Sequence, residues 1–585
     1  MNVKITKLLL LVFSISVSAG FNFGCPQDDP APAGLVLKNG FVYTVDGRRT
    51  IAEAVAVRDG KIILVGSDRD VDKYVGSGTA VIDLQGRMVL PGFIDSHCHA
   101  AYGAAHEGFD IMFTGLKSVN EYKQAIRDFY AAHRDAKFIK GRGWKNTLFA
   151  KTGPDKKIID EIIPDIPVAL DDEGGHATWV NSLTLKLAGI TRETKSPRGG
   201  VIERDPATGE PTGTLREGAA GLVSSLFPDY TVEQLMQAIE SYQRMAASFG
   251  ITTAHDATLD VDGNDFQAYK NLERENRLAM RFRASLWVDQ KKGLEQVAGL
   301  IADRAKNSGP LFQANGAKIY IDGVVEGSTA FLKEPYKHLP GFRGEPRWDA
   351  DKLNDMCAAL DRNKFQVHVH AIGDAATALT LDAFAYAATK NGKRDSRNLI
   401  THIQLVAPQD ILRFKELGVV AVPQPYWFMK DDYYYNLQVP YLGQKRADEE
   451  YPMESFFKAG VVVASSSDYA VTIPCDPLHA IQIGITRSVP GVTDPQEVLW
   501  PEERATLDQM IASFTINGAY ANFLEGTTGS IEVGKAADLI VLDKNLFRIP
   551  AGEISKVKVV LTFFAGKQVF SDGLLPGTAQ RISAR

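Results

Sequence analysis

Disulfide chemistry has little to work with in this chain. Only Cys25, Cys98, Cys357 and Cys475 occur among 585 residues; they are too scattered for a disulfide framework, and no CxxC pair is present. A basic block, an RNP-like run and zinc-finger spacing are also missing, which argues against a nucleic-acid partner. No fixed-period repeat or low-complexity tract stands out, and no segment reaches the ~20 apolar residues that a bilayer-spanning helix needs. What is there is globular: 45% hydrophobic and 23% charged residues, with a net charge of -6 that is small for this size. The length exceeds one ordinary domain, although α/β barrels run past ~250 residues as one unit.

The N-terminus reads as an export signal over residues 1–24. Lys4 and Lys7 precede the apolar run Leu8-Leu9-Leu10-Leu11-Val12-Phe13, and Val17-Ser18-Ala19 supplies the small residues a signal peptidase favours. The expected product is periplasmic or secreted. Cys25 after Gly24 offers an alternative, a lipoprotein anchor, although Asn22 stands where such sites usually carry an aliphatic residue.

Residues 33–90 read as short strands with turns, including a hairpin about Asn39-Gly40 that would pair Leu35-Val36-Leu37-Lys38 with Phe41-Val42-Tyr43-Thr44-Val45. Residues 524–580 look alike, with Ala537-Asp538-Leu539-Ile540-Val541-Leu542 and Val557-Lys558-Val559-Val560-Leu561. Each end alone is too small for a good core, so one β-sandwich assembled from both ends is expected. Between them, over 91–523, apolar strand candidates at 88–95, 251–255, 281–287, 316–322, 365–370, 399–404, 418–423 and 461–467 alternate with helical stretches such as Thr231 to Ser248 and Ala375 to Thr389. That pattern predicts an α/β fold, a (β/α)8 TIM-type barrel. Residues 101–230 are too long for one βα unit and suggest an inserted subdomain, with a hairpin around Gly200 to Arg216.

Pro91-Gly92-Phe93-Ile94-Asp95-Ser96-His97-Cys98-His99 is the most telling stretch. Residues two apart on a strand share a face, so His97 and His99 can meet one metal ion, while Cys98 alternates away as a packing residue. Of eleven histidines, His97, His99, His255, His370 and His402 fall at or near predicted strand ends, the barrel face where catalytic groups gather. His368 shares a face with His370 but sits one layer deeper, where it can hydrogen-bond within the barrel. His106, His133, His338 and His479 read as surface or packing residues. Asp468 closes the last strand; a lone Asp there is often a helix cap, but opposite these histidines it suits a general base. Lys318, in Ala317-Lys318-Ile319-Tyr320-Ile321-Asp322, is costly inside a barrel unless paired or modified. It forms either a salt bridge to Asp322 or Glu326, or a carbamate that bridges two cations. The loop with Tyr426, Trp427 and Phe428 and with Tyr433-Tyr434-Tyr435 is either a pocket wall or an apolar lid on the rim or on a second subunit of a homodimer.

Together these motifs resemble the amidohydrolase superfamily, in its amidohydrolase family 3 branch of metal-dependent hydrolases like N-substituted formamide deformylase. The resemblance spans nearly the whole mature chain, including Gly529-Ser530-Ile531-Glu532-Val533-Gly534-Lys535-Ala536-Ala537-Asp538-Leu539 and the stretch around Gly174-Gly175-His176-Ala177. It implies that His97 and His99 bind one divalent ion and His370 and His402 another, zinc being the expected metal, bridged by carbamylated Lys318. Asp468 would be the base, with His176, and less securely His255, stabilising an oxyanion; Tyr426 and Trp427 would line the substrate pocket. Val324-Val325-Glu326 departs from the smaller, serine-containing sequence common in relatives, which puts the neighbouring pocket's shape in question. The expected reaction is hydrolysis of an amide-type C–N bond (N-acyl, N-formyl or cyclic amide) in a small-molecule substrate by a metal-activated water. The alternatives are a mononuclear deaminase or esterase with unmodified Lys318, and a non-catalytic exported binding protein.

Overall fold

The computed structural model describes residues 31–197, 199–306 and 309–575. The expected signal peptide and Cys25 lie outside the described residues. At the centre is a parallel sheet of seven strands: β1 (Phe93–Cys98), β2 (Ile251–Leu259), β3 (Arg281–Trp287), β4 (Phe312–Tyr320), β5 (Gln366–Ala371), β6 (Leu399–His402) and β7 (Val420–Val422), hydrogen-bonded in chain order. The predicted last strand, 461–467, takes only one parallel bridge, Ala421 to Val463. Its backbone nonetheless joins the two sheet edges. Ala464 N–H donates to Ala421 O at 2.9 Å on the β7 side, and Asp468 N–H donates to His97 O at 2.9 Å on the β1 side. The sheet thus curves into a TIM-type barrel.

Strand alternation decides what faces inward. In β5, Val367 and Val369 join the apolar layer shared with the surrounding helices, so His368 and His370 take the opposite face, inside the barrel. In β4, Ala317 and Ile319 do the same and turn Lys318 and Tyr320 inward. A register slip of one residue would put both imidazoles and the ammonium among apolar side chains, so the pattern holds these strands in place. The helices carry their own signals: Thr231 caps Val232–Ser248 with a reciprocal capping box to Gln234.

Both chain ends meet in one six-stranded sheet, where Leu539–Leu542 runs antiparallel to Met88–Pro91. A four-stranded sheet packs on it through Leu37, Val55, Val89, Leu539, Val541 and Leu561. The expected hairpin about Asn39-Gly40 does not form: Leu35–Lys38 pairs with Ala54–Arg58 in the four-stranded sheet, while Phe41–Tyr43 pairs with Ile51–Ala52 in the six-stranded one. Asn39, at φ 58°, turns the chain from one sheet to the other, and a Cβ on Gly40 would strike Leu84 Cδ1 at 2.3 Å. After β1, helix Ala100–Phe109 packs into the barrel core, and the chain then builds a six-stranded sheet from Ile111–Met112 to Pro211–Glu217 around Trp144, Leu170 and Trp179. This inserted sheet carries His176 and Glu217 to the barrel mouth.

Candidate metal centre and active-site cavity

At the C-terminal end of the strands, His97 Nε2 and His99 Nε2 lie 3.2 and 3.3 Å from Asp468 Oδ1, and the ligand atoms of the three lie within 4.8 Å of one another. The His370 and His402 rings follow, 4.4 Å apart between centroids, with His402 5.2 Å from His97. Lys318 is 0% exposed. Its Nζ has no hydrogen-bond partner, and the same holds for His97 Nε2 and Asp468 Oδ1, whereas His370 Nδ1 lies 3.4 Å from Asp322 Oδ1. Buried polar atoms in native proteins are nearly always partnered, so three orphans in one cluster fit a centre built to hold cations. The expected alternative for Lys318, a salt bridge, does not form: Asp322 instead accepts backbone N–H groups from Phe331, Ile372 and Gly373 at 2.9 to 3.0 Å. Burial holds His97, His370 and His402 well below the usual histidine range, so they are neutral and able to ligate. Burial likewise pushes the Lys318 amine down to about 7. It also opposes charge on Asp468, yet contacts with His97 and His99 keep that carboxyl well below the ordinary range. His402 and Asp468 adopt left-handed backbone angles, φ 71° and 56°, conformations that L-residues hold mainly where surrounding structure enforces them.

Beneath this cluster a chain of hydrogen bonds runs down the barrel. His97 Nδ1 meets His368 Nε2 at 2.8 Å, His368 Nδ1 meets Ser285 Oγ at 3.2 Å, and Ser285 Oγ meets His255 Nε2 at 2.8 Å. His255 Nδ1 ends on Asn522 Oδ1 at 2.8 Å. Asn522 spends its amide N–H on Gly518 O, so its oxygen can only accept. Every proton in the chain is then assigned: His255 donates to Asn522, Ser285 to His255, His368 to Ser285 and His97 to His368. His97 Nε2 is left as a bare lone pair facing Asp468 and His99. His402 is set in the same way. Gln424 donates its amide to Ser466 Oγ at 2.7 Å and accepts from His402 Nδ1 at 3.0 Å, which frees Nε2.

Above the cluster opens a cavity of about 400 Å³, lined by His370, His402, Asp468, His176, Tyr426 and Trp427 among others. Trp427 stacks on His402, 5.9 Å between centroids and 13° from parallel, and Tyr426 packs on His479. His176, from the inserted sheet, lies 5.6 Å from the His370 ring, and its Nδ1 contacts Glu217 at 3.1 and 3.2 Å. Burial works against a charge on His176, but the Glu217 carboxylate outweighs it and raises the imidazole to about 9. Arg347 and Thr329 hold Glu217 from behind. Burial raises Glu173 and Glu326, on the same wall, to about 7.

His255 is the misplaced expectation. Its strand continues to Leu259 rather than ending at 255, so the ring sits inside the barrel, bonded through both nitrogens, and does not line this cavity. His479, read as packing, does line it. His368 takes the deeper layer expected of it, though its role in orienting His97 was not foreseen. Glu217 and Arg347 carried no sequence signal, because their importance lies wholly in the tertiary contact with His176.

A family model described as amidohydrolase family matches residues 80–570. Protein LONG AFTER FAR-RED 3 of Arabidopsis thaliana is 32% identical over 559 residues, 92% of this chain and 92% of its own length. N-substituted formamide deformylase of Arthrobacter pascens is 27% identical over 541 residues, covering 91% and 97%. The crystal structure of an uncharacterized metal-dependent hydrolase from Pyrococcus furiosus superposes with a TM-score of 0.67 at 25% identity, over 87% of this chain and 99% of that one. On the family match and the full-length relatives, this chain belongs to the amidohydrolase family, and it is a metal-dependent hydrolase.

Proposed function

We propose that the protein is an exported enzyme that hydrolyses an amide-type C–N bond in an N-acyl, N-formyl or cyclic amide. The observation that carries this reading is the gathering of the His97, His370 and His402 rings about buried, unpartnered Lys318 Nζ and Asp468, at the foot of a cavity with His176 in its wall. The similarity to a deformylase of N-substituted formamides over 91% of the chain supports the bond type.

His97 and His99 would hold one divalent ion and His370 and His402 a second, zinc being the expected metal. Lys318 would bridge them as a carbamate: its amine adds to carbon dioxide, forms an N–C bond and sheds one proton, and burial favours the neutral amine that this step needs. When bound, the metals supply Lewis acidity to the scissile carbonyl and lower the pKa of a water. Asp468 takes one proton from the attacking water and returns it to the leaving nitrogen as the C–N bond breaks. Protonated His176, held by Glu217, donates toward the carbonyl oxygen as it gains charge. Trp427 and Tyr426 offer an apolar wall to an aromatic or alkyl substituent.

The test is a panel of N-formyl amines, N-acyl amino acids and cyclic amides offered to metal-loaded enzyme, with Asp468→Asn as control. Turnover of at least one class, abolished in the variant while metal stays bound, is expected. Hydrolysis of none of them, or near-normal turnover by Asp468→Asn, would overturn the reading.

A second reading rests on one observation, the close approach of ligand atoms from His97, His99 and Asp468. It is a one-metal deaminase or esterase with Lys318 unmodified, and metal stoichiometry separates the two. Export through residues 1–24, or anchoring at Cys25, is tested by N-terminal sequencing of the mature protein.

A further inference from the structure

The barrel has a second cavity, of about 180 Å³, at the opposite end from the catalytic cluster. Arg283 and Gln313 stand side by side there near the starts of β3 and β4, and Gln366 begins β5. Its lining contains Arg283, Lys364 and Arg394 and not one carboxylate, and its mouth opens to solvent past exposed Lys364 and Phe523.

Arg283 is the anomaly. It is 8% exposed, and its one hydrogen bond runs to the adjacent Phe282 O at 3.0 Å. Among the described residues no carboxylate pairs with it. The neighbouring Arg281, Arg394 and Arg397 are matched, with Asp538, with Asp361, and with Asp395 and Glu525. Glu273, the carboxylate whose field reaches Arg283, is occupied by Leu311 and Phe312 N–H at 2.8 and 3.0 Å. The amides beside it are spent on backbone: Gln366 donates to Arg397 O and Ala521 O, and Gln313 to Gly309 O. Burial draws the guanidinium down to about 10, which still leaves it charged at neutral pH. An unpaired cation so buried is expensive, and a guanidinium fork with free donors facing a cavity has the geometry for two parallel bonds to an oxyanion.

We propose that this floor cavity binds a small oxyanion, phosphate or carboxylate in type, with the Arg283 guanidinium as its bidentate donor and Lys364 at the mouth. The site is separate from the catalytic cavity and does not depend on the substrate reading above.

The direct test is a crystal of the full-length, metal-loaded enzyme soaked in selenate, located by anomalous scattering. Selenate within hydrogen-bond reach of Arg283 is expected. Back-soaking with phosphate and, separately, acetate distinguishes the sources: displacement by phosphate alone assigns an inorganic tetrahedral anion, and displacement by acetate assigns carboxylates. Selenate at the catalytic cluster only, or nowhere, would overturn the proposal. In solution, calorimetric titration with inorganic phosphate should show Arg283→Met losing at least about tenfold in affinity for one site. Arg283→Lys, which keeps the charge, covers the case in which the Met variant does not fold, and it should bind more weakly than wild type because the fork is gone. Phosphate titrations indistinguishable from wild type in either folded variant would contradict the site.

Discussion

The hydrogen-bond chain from Asn522 to His97 makes a sharp prediction about a residue that touches no substrate. His368→Leu removes the acceptor for the His97 Nδ1 proton and leaves that N–H buried, since both imidazoles are 0% exposed. A buried donor without a partner costs about 1–3 kcal/mol, and loss of an outer partner of a metal-bound histidine typically costs 10–100-fold in affinity. His97 can escape the penalty by flipping its proton to Nε2, but that nitrogen is the one facing Asp468 and His99, so either route weakens the metal site. His368→Gln keeps an acceptor near the same place and should recover most of the loss. The assay is equilibrium competition for zinc between the metal-free enzyme and a chromogenic chelator, with a thermal melt to confirm folding. A drop of about tenfold or more in the Leu variant, with partial rescue by Gln, is expected. A folded Leu variant with wild-type affinity would refute the reasoning, because it would mean that the tautomer of His97 does not depend on the chain beneath it.

Four further outcomes are expected. Lys318→Met should raise the melting temperature of the metal-free protein, because an unpaired buried amine is replaced by an apolar side chain, while metal content falls and turnover drops by at least about 100-fold; full activity in this variant would remove Lys318 from the centre. With His176 raised to about 9, kcat/KM should fall as pH rises through that value, and Glu217→Gln should move the alkaline limb to lower pH; an unmoved limb would assign it to another group. The same shift enters stability: the folded state binds the His176 proton more tightly than an unfolded histidine, so the contribution is full below about 6.5 and lost as pH climbs through about 9. Trp427→Ala should raise KM for aromatic amides by roughly tenfold and leave small formamides little changed, read by comparing KM across the two substrate types.

The barrel was legible because apolar runs, some alternating with polar residues, recur between helical stretches, and because the histidines recur where those strands stop. Val367-His368-Val369-His370 shows both signals at once. The closing segment at 461–467 reads as a strand in sequence, but it joins its neighbours through a few backbone bonds and a single bridge. Asn39-Gly40 has hairpin chemistry, yet its two flanks belong to different sheets, each paired with its own partner strand. His255 was misplaced because Asp256-Ala257-Thr258-Leu259 extends its strand beyond the point where the apolar pattern weakens. Glu217, Arg347 and the Ser285 link in the buried chain belong to three separate parts of the barrel and insert, and no local spacing marks them.

Metal content per chain, measured by elemental analysis of protein purified without chelator and with bicarbonate present, tests the proposed centre most directly. About two ions per chain, falling in Lys318→Met, are expected from histidine pairs bridged by a carbamylated lysine. Reproducibly one ion or none after reconstitution would contradict that centre.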